Sequence, residues 1–424
     1  MVKPQEKQPK MITRPTARIR RGLALAVAAW MLACPLLADD AIPNGDVTAT
    51  FANGRNSVIP CKFVLNTILI PVPTPDKSFA YLLFDTGASA SMLSETFARK
   101  MHIRGSDSLL AQGIGQQSTV GSVSTGISFS LAGLTFHNAP WAILPNVTLD
   151  SSFGLPVVGI LGLDLMKSFV IRIDYAAQTV EFINPATFHS PSGATAVLPL
   201  ELSDAGLMLL AATVRTDQAG AEGQFLFDTG NNGTFGLSKL FQDEHPELKF
   251  RRFAESGSNG VGGTLLMSEA VCPMLVLGGI RVPGPLVDLD QKSQGVEAEI
   301  NGGIGNEIWR RFTITLDLPD KKIYLQKNAH FPDRFSFVTA GMNVLASGAH
   351  YEKLTLHELL PGGPGEKAGF LKGDILLRVK ELGNTPLLMA NVYPLLHRAG
   401  TSHFLVKRGE KTIPLTLELK NPAP

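Results

Sequence analysis

The 424-residue sequence contains little cysteine, few aromatic residues and almost no net charge. With three cysteines and no Cys-x-x-Cys or His-Glu-x-x-His spacing, it offers no recognisable metal site, and we expect neither a metal nor a cofactor. Lys and Arg number 38 against 37 Asp and Glu, so the balance gives no reason to expect nucleic acid as a partner. Long amphipathic helical patterns are scarce, which argues against a helical bundle.

Short apolar runs separated by turn residues fill most of the chain. Glycine is plentiful at 41 residues and proline at 28, while hydrophobic residues make up 44% of the sequence. Runs of this length between Gly, Pro, Asn and Asp are typical of strands joined by turns. The composition therefore predicts an all-β fold with enough apolar residues for several cores.

The N-terminal segment has the pattern of a secretory signal peptide. A basic stretch is followed by an apolar run from Leu23 to Leu37 and then by Ala38. The run is shorter than the roughly 20 residues of a spanning helix. We expect residues 1–38 to be removed and the protein to be exported, periplasmic or secreted. A weaker alternative is membrane attachment through this segment or through a lipid on Cys34.

Two cysteines remain if the predicted signal peptide is removed, Cys61 and Cys272. An oxidising compartment would permit a disulfide between them. Cysteine is also among the most frequently buried residues, so two unpaired core thiols are the preferred interpretation.

An internal repeat organises the middle of the chain. Three blocks recur at a constant offset of 143 positions: 81–87 (YLLFDTG) as 224–230 (QFLFDTG), 159–164 (GILGLD) as 302–307 (GGIGNE), and 169–174 (FVIRID) as 312–317 (FTITLD). The repeat predicts two copies of one β domain, residues 39–190 and 191–330, that face each other across a pseudo-two-fold axis.

Each copy carries Asp-Thr-Gly directly after an apolar strand. Glycine allows the backbone to turn sharply, so the carboxylate lies at the end of a rigid strand. Two facing copies would bring Asp85 and Asp228 together. Adjacent carboxylates cannot both ionise easily, so the pair shares one proton. One member can then activate water while the other hydrogen-bonds a carbonyl oxygen, which is the chemistry of peptide-bond hydrolysis. We assign neither role to a particular aspartate.

With these motifs, residues 57–327 resemble the aspartic peptidases of the pepsin and retropepsin clan. The Asp85-to-Ser89 sequence is similar to the retropepsin form and its bacterial relatives, whereas two lobes in one chain are similar to pepsin. The resemblance implies acid-protease-like β barrels, one catalytic aspartate from each lobe, and no dimer for a complete site. It also implies that the threonines cross-link the two loops. The expected supporting residues are Thr86, Gly87, Ser89, Thr229, Gly230 and Asn231.

Two features of the resemblance are less regular. Asn231-Asn232 stands where the family has a small residue and then serine or alanine, and it can either support the carboxylate or displace the loop. Glycine-rich hairpins suit mobile flaps over an extended substrate, although they are equally common as ordinary surface loops. The flap of lobe one is expected at Gly113, Ile114 and Gly115, and that of lobe two at Gly257–Gly263.

The C-terminal part, about residues 340–421, follows a linker at 331–339 and resembles a PDZ domain. A proline-glycine turn, a short helix ending in Ala-Gly and a Gly-Asp pair before a strand carry this resemblance, within residues 359–379. It implies a β/α domain that binds a peptide C-terminus or an internal peptide by strand addition. The loop that would receive the peptide carboxylate is expected at Gly341, Met342, Asn343 and Val344.

The sequence thus predicts an aspartic endopeptidase that acts on extended polypeptide, with a PDZ-like domain that delivers or senses substrate. One alternative is a non-catalytic peptide receptor built from the same modules. Another is a scaffold in which the C-terminal domain serves assembly. Both aspartates are present, which favours the enzyme.

Overall fold

The computed structural model describes residues 27–28, 47–75, 78–111, 119–145, 147, 149–260, 263–291, 300–336 and 338–420. The predicted signal peptide lies outside these residues except for Val27–Ala28, a two-residue strand (β1) parallel to Gly257–Ser258. Within the described ranges, no helix is long and apolar enough to cross a membrane. We refer to residues up to 190 as lobe one, 191–330 as lobe two and the rest as the C-terminal domain; these boundaries stay predictions.

The described chain is mostly strand with few, short helices, and the all-β prediction is confirmed. Lobe one centres on a nine-stranded sheet in which the apolar strand ending at Phe84 lies between two other strands. The elements of lobe one are β2 (Thr48–Phe51), β3 (Asn56–Pro60), β4 (Lys62–Val64), β5 (Thr67–Pro73), β6 (Phe79–Phe84), β7 (Met92–Ser94), α1 (Glu95–Lys100), β8 (Asp107–Ala111), β9 (Thr119–Leu131), β10 (Leu134–Leu144), α2 (Leu149–Phe153), β11 (Val157–Leu161), α3 (Leu163–Met166), β12 (Val170–Asp174) and β13 (Thr179–Ile183).

Lobe two repeats this plan with two smaller sheets. Its elements are β14 (Ala196–Pro199), β15 (Glu201–Leu202), β16 (Met208–Arg215), β17 (Gly220–Phe227), β18 (Gly236–Leu237), α4 (Lys239–Glu244), β19 (Arg252–Gly260), β20 (Gly263–Val271), β21 (Met274–Leu277), β22 (Ile280–Pro283), β23 (Leu286–Asp290), β24 (Gly303–Ile304), α5 (Asn306–Trp309), β25 (Phe312–Asp317) and β26 (Lys322–Lys327).

The repeat in the sequence is also a repeat in strand pairing. In lobe one, β6 pairs in parallel with β11, and Phe84 lies opposite Leu161. In lobe two, β17 pairs in parallel with β24, and Phe227 lies opposite Ile304. Each partner is 143 positions from its counterpart, so the two strands that lead into Asp-Thr-Gly are held in the same register.

A six-stranded sheet joins the lobes, in the order β14-β26-β25-β12-β13-β3. At its centre β12 pairs antiparallel with β25, and Arg172 lies opposite Thr315. These two residues are themselves equivalent in the repeat, so the pseudo-two-fold axis passes between them. One large core that spans Ile59 to Leu325 packs against this sheet and unites both lobes.

The C-terminal domain has a separate core that runs from Val338 to Leu419. Its five strands follow one another across the sheet in chain order. A helix packs against this sheet, and the last two strands of the sheet form an antiparallel hairpin. The elements are β27 (Met342–Ser347), β28 (Lys353–Leu359), α6 (Pro364–Lys367), β29 (Ile375–Val379), α7 (Met389–Leu396), β30 (Gly400–Arg408) and β31 (Lys411–Leu419).

Candidate active site

The two aspartates of the repeat meet at the interface between the lobes. Asp85 follows β6 and Asp228 follows β17, and their exposed fractions are 0% and 3%. A Cβ atom on Gly87 would lie 2.6 Å from Asp228 Oδ1, and one on Gly230 would overlap the carboxyl group of Asp85. Each carboxyl group therefore packs against the glycine of the opposite loop. The glycine of each Asp-Thr-Gly is required by this close approach.

The two threonines bond the loops to each other reciprocally. Thr86 Oγ1 donates to Phe227 O at 2.7 Å, and Thr229 Oγ1 donates to Phe84 O at 2.9 Å. Each hydroxyl also accepts the backbone N–H of the other threonine at 3.0 Å. Both side chains are fully buried, so these bonds satisfy hydroxyls that water cannot reach.

The carboxyl groups differ in their backbone donors. Asp85 Oδ1 accepts the N–H of Gly87 at 2.8 Å, and its Oδ2 is buried without a hydrogen bond to any described residue. Asp228 Oδ1 accepts two N–H groups, from Gly230 at 2.8 Å and from Asn231 at 3.0 Å. Burial raises the pKa of both carboxyl groups. The nearby charge of Asp228 raises the pKa of Asp85 further. Backbone N–H groups oppose the rise at both aspartates, those of Gly87 and Ala88 at Asp85 and those of Asn231 and Gly230 at Asp228.

The residues after each triplet support the loops in different ways. Ser89 is half-buried in lobe one. Asn231 supports Asp228 through its backbone N–H, while its side-chain Oδ1 accepts the N–H of Gly233 at 2.7 Å. Asn231 therefore closes a turn in its own loop and does not bond the carboxylate through its side chain.

Two supports behind the loops were missed by the sequence analysis. In lobe one, Ser91 Oγ donates to Asp164 Oδ1 at 2.6 Å and accepts the N–H of Gly162 at 2.9 Å. Burial raises the pKa of Asp164 to about 6. In lobe two, Asn306 Nδ2 donates to Thr229 O at 2.6 Å, and Tyr175 OH donates to Asn306 Oδ1 at 2.7 Å. The one available signal was a polar Asn at the repeat position where lobe one has an apolar leucine.

The predicted flaps are described only in part. Gly113, Ile114 and Gly115 lie outside the described residues, between the antiparallel strands β8 and β9. In lobe two, β19 and β20 form an antiparallel hairpin in which Gly260 pairs with Gly263. The backbone at Gly257–Gly260 is thus that of a hairpin arm.

The predicted carboxylate loop of the C-terminal domain is shorter than expected. Gly341 has a φ of +63° and lies in a turn, but Met342, Asn343 and Val344 are already part of β27. The N–H of Gly341 donates to Thr339 Oγ1 at 3.1 Å. Apolar side chains of Met342 and Val344 enter the domain core, which explains why these residues continue as a strand.

Two further predictions concern metals and thiols. Within the described ranges, no group of three or more His, Cys, Asp or Glu residues could hold a metal ion. Cys61 and Cys272 are both free thiols. Burial raises the pKa of Cys61 to about 12 and that of Cys272 to about 11, so neither is a reactive thiolate at neutral pH.

Part of lobe one is similar in sequence to aspartyl proteases. Residues 76–165, which include Asp85 but not Asp228, match the family model described as aspartyl protease. No curated protein matches the chain. This family match supports a protease-type function.

Two solved structures are also similar to the chain. One is an aspartic proteinase from Irpex lacteus, at 14% identity and a TM-score of 0.42, and the other is Basic 7S globulin from soybean, at 13% and 0.39. Each likeness covers 66% of this chain and 99% of the other.

Proposed function

We propose that the chain is an aspartic endopeptidase that hydrolyses peptide bonds between Asp85 and Asp228. The observation that carries the proposal is the reciprocal threonine bonding, because it fixes two buried carboxyl groups against opposite loops. Preorganised groups of this kind need no rearrangement when charge develops in the transition state.

The reaction follows from a shared proton. The ionised carboxylate removes a proton from a water molecule, whose oxygen attacks the carbonyl carbon of the substrate. The protonated carboxyl group donates a hydrogen bond to the carbonyl oxygen. Breakdown of the tetrahedral intermediate breaks the C–N bond, and the leaving amine takes a proton. The charge of Asp228 raises the pKa of Asp85 beyond the effect of burial, so Asp85 is the preferred protonated member in the resting state.

The substrate and the location remain part of the same proposal. A site supplied jointly by two lobes suits an extended or unfolded polypeptide that lies between them, and the edge of the C-terminal sheet suits a second contact with that polypeptide by strand addition. A second contact raises the effective concentration of a long substrate at the aspartates. The basic and apolar N-terminal segment supports export, with Asp39 as the expected first residue of the processed protein.

The proposal is tested by a cleavage assay with purified residues 39–424, an unfolded protein substrate and a range of pH. Asp85→Asn and Asp228→Asn should each reduce hydrolysis by about 10³-fold or more, because each removes one of the two proton-transfer roles. Asp317→Asn is the matched control, since it replaces a buried carboxyl group outside the dyad and outside the supports of its loops, and the amide oxygen can still accept the N–H of Asp320. Near-wild-type turnover in either dyad variant would show that the dyad is not catalytic, and a folded wild type without hydrolysis would favour a peptide receptor.

A further inference from the structure

The C-terminal domain contains a groove between an edge strand and a helix. In the described sheet β27 is the outer strand and pairs only with β28, and α7 packs beside it with the opposite direction. At one end of the groove, the N–H of Ala340 donates to Leu396 O at 2.7 Å and joins the strand to the helix. At the other end, Ala346 of β27 and Met389 of α7 form the two sides.

That second end is filled by lobe one. A Cβ atom on Gly154, directly after α2, would lie 2.9 Å from the Cβ of Met389 and 3.3 Å from the Cβ of Ala346. The chain of lobe one thus passes between the strand and the helix. Tyr351 OH also donates to Asp150 Oδ2 at 3.2 Å, which holds α2 against the β27–β28 turn. A peptide that added a full strand to β27 would have to displace Gly154.

Helix α2 shares a small core with the Asp85 loop of lobe one. Leu149 and Phe153 pack in a small core together with Ala88, three residues after Asp85, and with Leu109 of the β8–β9 hairpin. Two residues after Gly154, Pro156 O accepts the N–H of Tyr81 on β6 at 2.9 Å. A shift of α2 would therefore change the packing of both the Asp85 loop and the β8–β9 hairpin.

The same helix of the C-terminal domain also contacts lobe two. Asn232 Nδ2, in the loop of Asp228, donates to Tyr393 OH of α7 at 3.4 Å. Beside this contact lies a cavity of about 330 Å³ lined by Asn232, Tyr393 and His397, among other residues of both lobes and the C-terminal domain. An interface that encloses such a cavity is less tightly packed than a protein core, so it can separate at smaller cost.

We propose that the C-terminal domain is an autoinhibitory clamp, with the lobe-one segment at Gly154 seated in its own peptide groove. The clamp is hydrogen-bonded to lobe one at Asp150 and to lobe two at Asn232, and it packs against lobe one at Gly154. It therefore resists the lobe separation that an extended substrate needs to reach the aspartates. An extended peptide strand on β27 competes with lobe one and releases the clamp. This inference rests on the proposed peptidase function and adds its regulation.

The test locks the groove with a disulfide. The Cβ separation between positions 154 and 346 is 3.3 Å, slightly below the roughly 3.5–4.5 Å of natural disulfides, so Gly154→Cys with Ala346→Cys can be oxidised after a small local shift that also moves position 154 away from Met389. We expect the oxidised double variant to hydrolyse an unfolded protein at least about tenfold more slowly than the same sample after reduction. The two single variants are controls for the strain of a side chain at Gly154, whose φ is +62°, and should not respond to oxidant.

Two single substitutions test the contact between α2 and the C-terminal domain without adding a side chain at Gly154. Tyr351→Phe removes the hydrogen bond to Asp150 and should raise hydrolysis by about twofold to tenfold, the population shift that one hydrogen bond commonly causes. Tyr324→Phe is the matched control, because it removes only a contact with Ser190 on the outer part of the interlobe sheet.

The outcomes separate the clamp from the peptidase. Equal rates in the oxidised and reduced double variant, a faster oxidised form, or failure of the disulfide to form would each overturn the clamp while leaving an active wild type. Absence of hydrolysis in the wild type and in every reduced variant would overturn the proposed peptidase function and the clamp together.

Discussion

The loops of Asp85 and Asp228 have the same inner structure and different outer supports. Inside, the threonine bonds are reciprocal and nearly equal in length. Outside, lobe one relies on the Ser91–Asp164 pair, whereas lobe two relies on Asn306, which is held by Tyr175 from lobe one. The bonds that join the two loops directly are symmetric, whereas the supports behind the loops differ, although one of them, from Tyr175 to Asn306, also connects the lobes.

This comparison indicates where symmetry is physically required. A bond from one loop to the other constrains both copies at once, so a change on one side leaves a buried polar group unpaired on the other. A support behind a single loop can be replaced by another donor of suitable geometry. The second N–H donor at Asp228 and the unpaired Oδ2 of Asp85 then make two chemically identical side chains electrostatically unequal.

The largest expected effect is on the stability that the reciprocal threonine bonds provide. Thr86→Val and Thr229→Val should each lower the free energy of unfolding by roughly 2–6 kcal/mol, because each leaves one buried carbonyl and one buried N–H unpaired at about 1–3 kcal/mol each. The two losses should agree closely, since the bonds are reciprocal. Urea denaturation measures both.

Thr67→Val is the matched control for the threonine variants. Its hydroxyl is equally buried but makes one bond, to Val64 O, within lobe one. A loss at Thr67 as large as that at Thr86, or a clear difference between Thr86 and Thr229, would contradict the symmetric account.

A smaller effect distinguishes the two aspartates by pH. The pKa of Asp85 is raised in the folded protein above the value near 3.9 of an unfolded chain. The folded state therefore binds this proton more tightly, and stability is lost as pH rises from about 4 through the folded pKa. Asp85→Asn removes this loss and should raise the melting temperature at pH 7 but not at pH 3.

Asp228→Asn should show the same sign with a smaller gain, because the neighbouring charge that raises the pKa of Asp85 further does not raise that of Asp228. Calorimetry of both variants from pH 3 to 8 makes the comparison. A larger gain at Asp228 would show that this neighbouring charge does not set the difference between the aspartates.

The smallest expected effect concerns the outer supports. Ser91→Ala should destabilise the protein by about 1–3 kcal/mol above pH 6, where Asp164 is ionised and loses its hydroxyl donor, and by less below pH 6. Tyr175→Phe should cost about 1 kcal/mol at every pH between 5 and 8, because both of its bonded groups are neutral. Parallel pH profiles for the two variants would contradict this difference between the lobes.

The sequence predicted the strand-turn units because their information is local and occurs twice. Asp-Thr-Gly after apolar residues specifies a turn at a strand end, and the constant offset of 143 specifies that two such turns face each other. The β-strand class followed from similarly local patterns. Exact element ends were less predictable: Met342 and Val344 continue a strand because they fill the C-terminal core, which no local signal announces.

Contacts between distant segments could not be predicted from one sequence. Asn232 and Tyr393 are 161 positions apart, and Asp150 and Tyr351 are 201 apart. Neither pair belongs to a repeat or to a spacing rule, and each depends on how whole domains are placed. The substitution of Asn at position 232 was visible as a departure from the family pattern, but its partner was not.

The pairing of β12 with β25 also has a consequence for a chain that carries only one lobe. Because Arg172 and Thr315 are equivalent positions, the edge that lobe one offers to lobe two is complementary to a second copy of itself in backbone geometry. A separately produced lobe one would expose an unpaired strand edge and would form a homodimer or aggregate through it. In the two-lobed chain this strand edge is already paired with lobe two, so it is not available to a second copy.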